Sequence, residues 1–207
     1  MEKKLNKILV SVLAVILITT LTVGVTYAYL VAQDSKDVTI VTANGVNTTL
    51  TLEPIKVSNN LVPLNDTKVK TAIGKADKKC VDKNNYDVCS LYKVTVSNKG
   101  ALEQIYGYVK TVNSTYKTDN LKYQIYDSNF NALTNIMTIS KNTNDYVYFY
   151  TGTTKCVFNS SGDTVFYFVI WLTDTDAEQS SDYSKVFNGA LGVELVGSNS
   201  DRLEANF

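Results

Sequence analysis

The chain of 207 residues contains no histidine. Histidine is the side chain whose charge changes near neutral pH, and it is the commonest zinc ligand. Ser-His-Asp and Cys-His nucleophile systems and HExxH metal centres are therefore excluded. Arginine is almost as scarce, with Arg202 standing alone among lysines, so bidentate guanidinium clamps on phosphate are not on offer. Neither charge sign is in excess, at 20 basic and 20 acidic residues, so the balance gives no electrostatic reason to expect nucleic acid, which demands a concentrated basic face. Proline occurs only twice, and helical periodicity is scarce. No carboxylate pair or lysine is singled out as reactive. The sequence reads as a non-enzyme without a cofactor.

What is present begins at the N-terminus. Lys3, Lys4 and Lys7 precede an apolar run from Ile8 to Val25, and Thr26-Tyr27-Ala28 places small residues at the −3 and −1 positions of a cleavage site between Ala28 and Tyr29. Basic start, apolar middle and small-residue end are the parts of a secretory signal over residues 1–28. An uncleaved membrane anchor is the competing reading, because the 18 residues from Ile8 to Val25 approach the length of a bilayer-spanning helix. In either case the membrane is met only through this leader, and residues 29–207 are expected to form a single extracellular domain. Beyond the leader 17 basic residues face 19 acidic ones.

Cys80, Cys89 and Cys156 follow. In an exported protein Cys80 and Cys89 are candidates for a disulfide across the polar stretch Val81–Val88, with Cys156 left over. Three reduced thiols are the alternative.

Strand signals then dominate. Val38–Thr42 is β-branched and ends near Asn44-Gly45, and Thr48–Leu52 alternates. Residues 58–79 read as a long polar loop with a short helix near 67–72. Leu91–Ser97, Ile105–Val112 and Leu121–Tyr126 are strands, and Ile136–Ser140 and Tyr146–Thr151 read as a hairpin around 141–144. Thr164–Leu172 (TVFYFVIWL) is nearly continuous in apolar residues, as a central strand buried on both faces should be. Val186–Val196 sets Leu191, Val193 and Leu195 on one face, and Arg202–Phe207 reads as a short last strand. Nine or ten such strands, separated by Asn, Asp and Gly turns, predict an all-β antiparallel β-sandwich or jelly roll.

Two features invite chemistry. Asp174, Asp176 and Glu178, with Asp182 further on, have the spacing of oxygen ligands for calcium. Gln179 and Lys185 stand where an EF-hand needs its glycine and bidentate glutamate, so a hydrated turn is the plainer reading. Tyrosine is frequent at 14 residues, including the row Tyr146, Tyr148, Tyr150 and the group Tyr106, Tyr108, Tyr123, Tyr126. Exposed tyrosines suit sugar or protein contacts, and half-buried ones simply suit strands. Four Asn-x-Ser/Thr sequons, at Asn47, Asn65, Asn113 and Asn159, are as many as this composition produces by chance.

The run Gly24-Val25-Thr26-Tyr27-Ala28-Tyr29-Leu30, followed by Asp34-Ser35-Lys36-Asp37, resembles the start of the TasA/camelysin family. Val25 is inserted in the glycine-threonine motif, and Leu30 replaces an aromatic residue. The resemblance implies a leader handled by a SipW-type signal peptidase. It also implies a jelly-roll-like sandwich secreted to the cell surface or biofilm matrix, and self-association into fibres or with related matrix proteins. Subunits of such fibres lend an N-terminal strand to a neighbour; by position the donor here is Tyr29–Thr42, with Val38, Ile40 and Thr42 as candidate residues. The alternative from a different class is a monomeric surface binding module, an adhesin for a glycan or a protein. A metalloprotease activity, described for camelysin, has no support in a chain without histidine.

Overall fold

The 11 residues Gly162–Leu172 carry apolar side chains on both faces of one strand, and the architecture answers both faces. The computed structural model describes residues 30–31, 38–42, 48–58, 60–74, 79–99, 104–158, 161–177, 179–182, 184–196 and 201–207. The leader, the Ala28/Tyr29 junction, Glu178 and the Asn47 and Asn159 sequons lie outside these residues. Among the described residues no helix is long and apolar enough to cross a membrane.

In chain order the strands are β1 (Leu30–Val31), β2 (Thr39–Thr42), β3 (Thr48–Lys56), β4 (Cys89–Asn98), β5 (Gln104–Ser114), β6 (Leu121–Tyr126) and β7 (Met137–Thr138). There follow β8 (Tyr146–Tyr148), β9 (Tyr150–Thr151), β10 (Thr154–Lys155), β11 (Val157–Phe158), β12 (Gly162–Leu172), β13 (Lys185–Val196) and β14 (Asp201–Asn206). A five-residue helix, α1 (Val69–Ile73), follows a 3-10 turn at Asp66–Lys68. The first sheet runs β2-β3-β4-β12-β6-β7. In the second, β13 pairs with β5 and β14, β5 pairs also with β8 and β11, and β1 joins β13 in parallel. All other strand pairs are antiparallel. The protein is thus an all-β, antiparallel sandwich.

Between the sheets, alternate residues of each strand meet. Phe166, Phe168, Ile170 and Leu172 of β12 pack with Leu50 and Leu52 of β3, Val94 and Val96 of β4, and Leu191, Val193 and Leu195 of β13. Each such side chain contributes about 1.5–3 kcal/mol relative to leaving it in water. The other face of β12 presents Tyr167, Val169 and Trp171, which form a second cluster with Leu64, Val69, Ile73, Cys80, Val88 and Phe130. The polar stretch between β3 and β4 is therefore a cap: it carries few apolar residues because it buries only one side of itself. Leu64 N–H donates to Leu172 C=O (2.9 Å), which ties the cap to the end of β12, and Val62 N–H donates to Asp87 C=O (2.8 Å), which closes the cap on itself.

One expectation fails. The runs at 136–140 and 146–151 do not form a hairpin with each other. β7 pairs with β6 of the first sheet, and β8 pairs with β5 of the second. Ile139 N–H donates to Leu121 C=O, while Thr111 N–H donates to Asp145 C=O. The chain crosses between the sheets there because Ile139 and Phe149 both enter the core, which closes that side of the sandwich.

Candidate functional site

The cap is covalently closed. Cys80 and Cys89 form a disulfide with Cα atoms 5.0 Å apart, and both are fully buried. Inside the loop, Asp82 Oδ1 accepts the backbone N–H groups of Asn84 (2.9 Å) and Tyr86 (2.8 Å), so the turn is self-organised. Cys89 stands opposite Trp171 in the β4–β12 ladder. The Trp171 indole donates to Asp66 Oδ1 at 2.8 Å, and Thr173 Oγ1 donates to the same oxygen at 2.5 Å. Cys156 is free and half-buried, its sulfur 3.1 Å from Thr151 Oγ1.

The acidic stretch divides. Asp174 and Asp176 are exposed, and Asp176 N–H donates to Asp174 Oδ1 at 3.0 Å. Asp174 lines an open cleft of about 670 Å³ with Lys68, Lys83 and Asp82. Among the described residues no three acidic or cysteine side chains converge as metal ligands. Asp182, by contrast, faces inward from the 3-10 turn Ser180–Asp182 and is fully buried.

The tyrosines sort onto different layers. Tyr123 lies in the core between the sheets, and Tyr126 lies under the cap. Tyr150 sits opposite Lys155 in the β9–β10 pair. Tyr106, Tyr108, Tyr146 and Tyr148 are brought together by β5 and β8, where the register sets Tyr108 opposite Tyr148. Tyr108 meets Tyr146 edge-on at 5.1 Å and Tyr148 at 5.7 Å. Its ring lies over β13, where a Cβ on Gly192 would come within 2.3 Å of it; only glycine leaves that space.

Sequence reasoning singled out the tyrosines but missed the charges that complete the layer. The Tyr108 hydroxyl donates to Glu204 Oε1 (3.0 Å) and Lys110 Nζ to Glu204 Oε2 (2.8 Å). The Tyr148 hydroxyl donates to Glu194 Oε2 (2.7 Å), and Arg202 Nη2 donates to Glu194 Oε1 (2.8 Å). Lys155 Nζ lies 3.5 Å from the Tyr148 ring centre, and the Arg202 guanidinium lies 4.6 Å from that of Tyr146. Burial first, and then the Glu204 charge, push the Tyr108 hydroxyl far above the ordinary phenol range. The Tyr148 hydrogen bond, ahead of Arg202, holds the Glu194 carboxyl below its usual value. A ligand stacking on this layer would meet Lys155 over the Tyr148 ring and Arg202 over the Tyr146 ring.

At one edge of the first sheet lies β2. It pairs within its own chain, Ile40 opposite Thr51 and Thr42 opposite Thr49. Val38 and Ile40 are 51% and 63% exposed, and Thr42 is also exposed. The residue of β2 that packs on the core is Val41, which is only partly buried.

No family model matches the chain, and no curated protein sequence matches it. Among solved structures, the KRT10-binding region domain of the pneumococcal serine-rich repeat protein PsrP matches at 9% identity, covering 83% of this chain and 95% of that one, with a TM-score of 0.31. The collagen-binding subdomain ACE19 of the Enterococcus faecalis surface protein ACE matches at 9% identity over 57% of this chain and 84% of that one, with a TM-score of 0.22. At such scores neither likeness bears on what this chain does.

Proposed function

We propose that the chain is a non-catalytic, exported structural subunit of an extracellular fibre or surface layer, and that it joins to further copies through its N-terminal arm in the manner of TasA-like fibre subunits. The supporting observation is how lightly the arm is held. β2 is a four-residue edge strand with no fully buried side chain, and β1 contributes two residues to the edge of the other sheet. Exchanging such an arm for a neighbour's keeps the same backbone hydrogen bonds and gives up little packing, which is the condition for strand addition at a sheet edge. The missing histidine and the resemblance of the leader point the same way. Purified protein is expected to polymerise, and a variant lacking residues 29–42 to remain folded and monomeric. Size-exclusion chromatography and electron microscopy decide it: full-length protein that stays monomeric at high concentration across pH refutes the arm.

The gathering of Tyr106, Tyr108, Tyr146 and Tyr148 on one face favours a second reading, a monomeric adhesin. Glycan or protein binding abolished by joint Y146A and Y148A substitution, in a protein that never polymerises, would replace the first reading with this one.

A further inference from the structure

Strand β14 has an open backbone edge. Gly189 and Phe207 exchange both of their backbone hydrogen bonds, at 3.2 and 2.9 Å. In an antiparallel ladder such pairs alternate with pairs that exchange none. The β13–β14 register continues without a bulge from Ala190 opposite Asn206 to Leu195 opposite Asp201. Ala205 and Leu203 therefore bond to β13, and the N–H and C=O groups of Arg202, Glu204 and Asn206 point away from it. Among the described residues β13 is the one strand that pairs with β14. Both faces of β14 are engaged: Leu203, Ala205 and Phe207 enter the core, and Arg202 and Glu204 lie in the tyrosine layer. What remains is the edge. Its six residues include neither proline nor lysine, and such a row of outward groups is a template for a further strand.

We infer that β14 pairs with β14 of a second copy of this chain, antiparallel about a two-fold axis, so that the two second sheets run on as one. The charges choose this occupant. Setting Arg202 opposite the partner's Arg202, or Glu204 opposite the partner's Glu204, brings like charges together across the seam. The register between them sets Arg202 opposite the partner's Glu204, and symmetry repeats the pair in reverse. Each such pair exchanges both backbone hydrogen bonds. The strand is thus complementary to itself. Neither side chain is used up within its own copy. Among the described residues Arg202 hydrogen-bonds through Nη2 alone, to Glu194 and Tyr148. The Glu204 oxygens accept one hydrogen bond each, where a carboxylate has room for about four in all. The Arg202 and Glu204 side chains are 42% and 27% exposed.

This seam differs from the arm. Arm exchange runs head to tail and has no built-in end, whereas a two-fold contact stops at two copies. One short strand edge buries little surface, which places the seam among weak interfaces, with a Kd on the order of 10⁻⁴–10⁻³ M. It is open at the dilution of a size-exclusion column.

The test is a disulfide trap in a Cys156→Ser background, in glutathione redox buffer at about 1 mM chain. Arg202→Cys and Glu204→Cys are made as separate chains and mixed. The proposed register sets the two new thiols opposite each other and keeps the second Arg202–Glu204 pair intact. The mixture is expected to give about tenfold more covalent dimer than either variant alone, read on a denaturing gel that dissolves any polymer joined by the arm. No such excess overturns the seam, and equal linkage in the single-variant samples overturns its register. Linkage in a protein that never polymerises keeps the seam and refutes the arm; polymers without linkage do the reverse. Should the variants fail to fold, amide exchange in the parent decides. The Arg202 and Glu204 amides should slow as concentration rises while those of Leu203 and Ala205 stay unchanged, and no such difference overturns the seam.

Discussion

Replacing Cys80 and Cys89 together by alanine removes one covalent closure and almost nothing else, since both side chains are small, buried and apolar in surroundings. The two cysteines are nine positions apart, and closing a loop of that size is worth roughly 2.7 kcal/mol at 25 °C on the loop-entropy estimate. With a urea m-value of about 2 kcal/mol/M, the unfolding midpoint should fall by about 1.3 M. The structure also says where the loss begins. The disulfide closes the cap over Trp171, the single tryptophan of the chain. Its emission therefore reports on the cap, while far-UV circular dichroism reports on the sheets. In the double variant, acrylamide quenching of Trp171 should rise at urea concentrations where the strand signal is still native; in the parent protein the two should move together. A midpoint within about 0.3 M of the parent would refute the loop-entropy reasoning. Quenching that never precedes loss of the strands would refute the cap as a separately held layer.

Gly192→Ala should destabilise by about 1–3 kcal/mol, because the added methyl would meet the buried Tyr108 ring at 2.3 Å; urea denaturation measures it. Glu194 has its carboxyl held low by Tyr148. Its contribution is therefore present above the unfolded glutamate value, about 4.3, and is lost as pH falls through the folded one. Glu194→Gln should accordingly flatten the fall of Tm below about pH 4.3 and leave the neutral region unchanged in shape, since no histidine titrates there.

The sandwich is legible in the sequence because its main strands declare themselves locally. TVFYFVIWL announces burial on both faces, and Leu191, Val193 and Leu195 announce one core-facing side. What is not legible depends on partners far away in the chain. Tyr108 meets Glu204 across 96 positions, so no local pattern separates it from Tyr123, which enters the core. The 136–151 segment contains two alternating runs joined by a polar tetrapeptide, as a hairpin would. That each run extends a different sheet follows from Ile139 and Phe149 filling the same core, which spacing alone does not encode. Asp182 reads as part of an acidic loop because neighbouring carboxylates suggest solvent; its burial is set by Thr118 and Asn120, more than 60 positions earlier.

The two-faced strand β12 carries a consequence for how the chain reaches its native state. Phe166–Leu172 is an uncharged, proline-free stretch of high β-propensity, the composition that stacks into cross-β ribbons when left bare. Shielding it requires the β3–β4 cap on one side and β13 on the other, and the cap is synthesised about a hundred residues earlier. Refolding should therefore be a race against aggregation that dilution favours, with the yield falling as chains are crowded together.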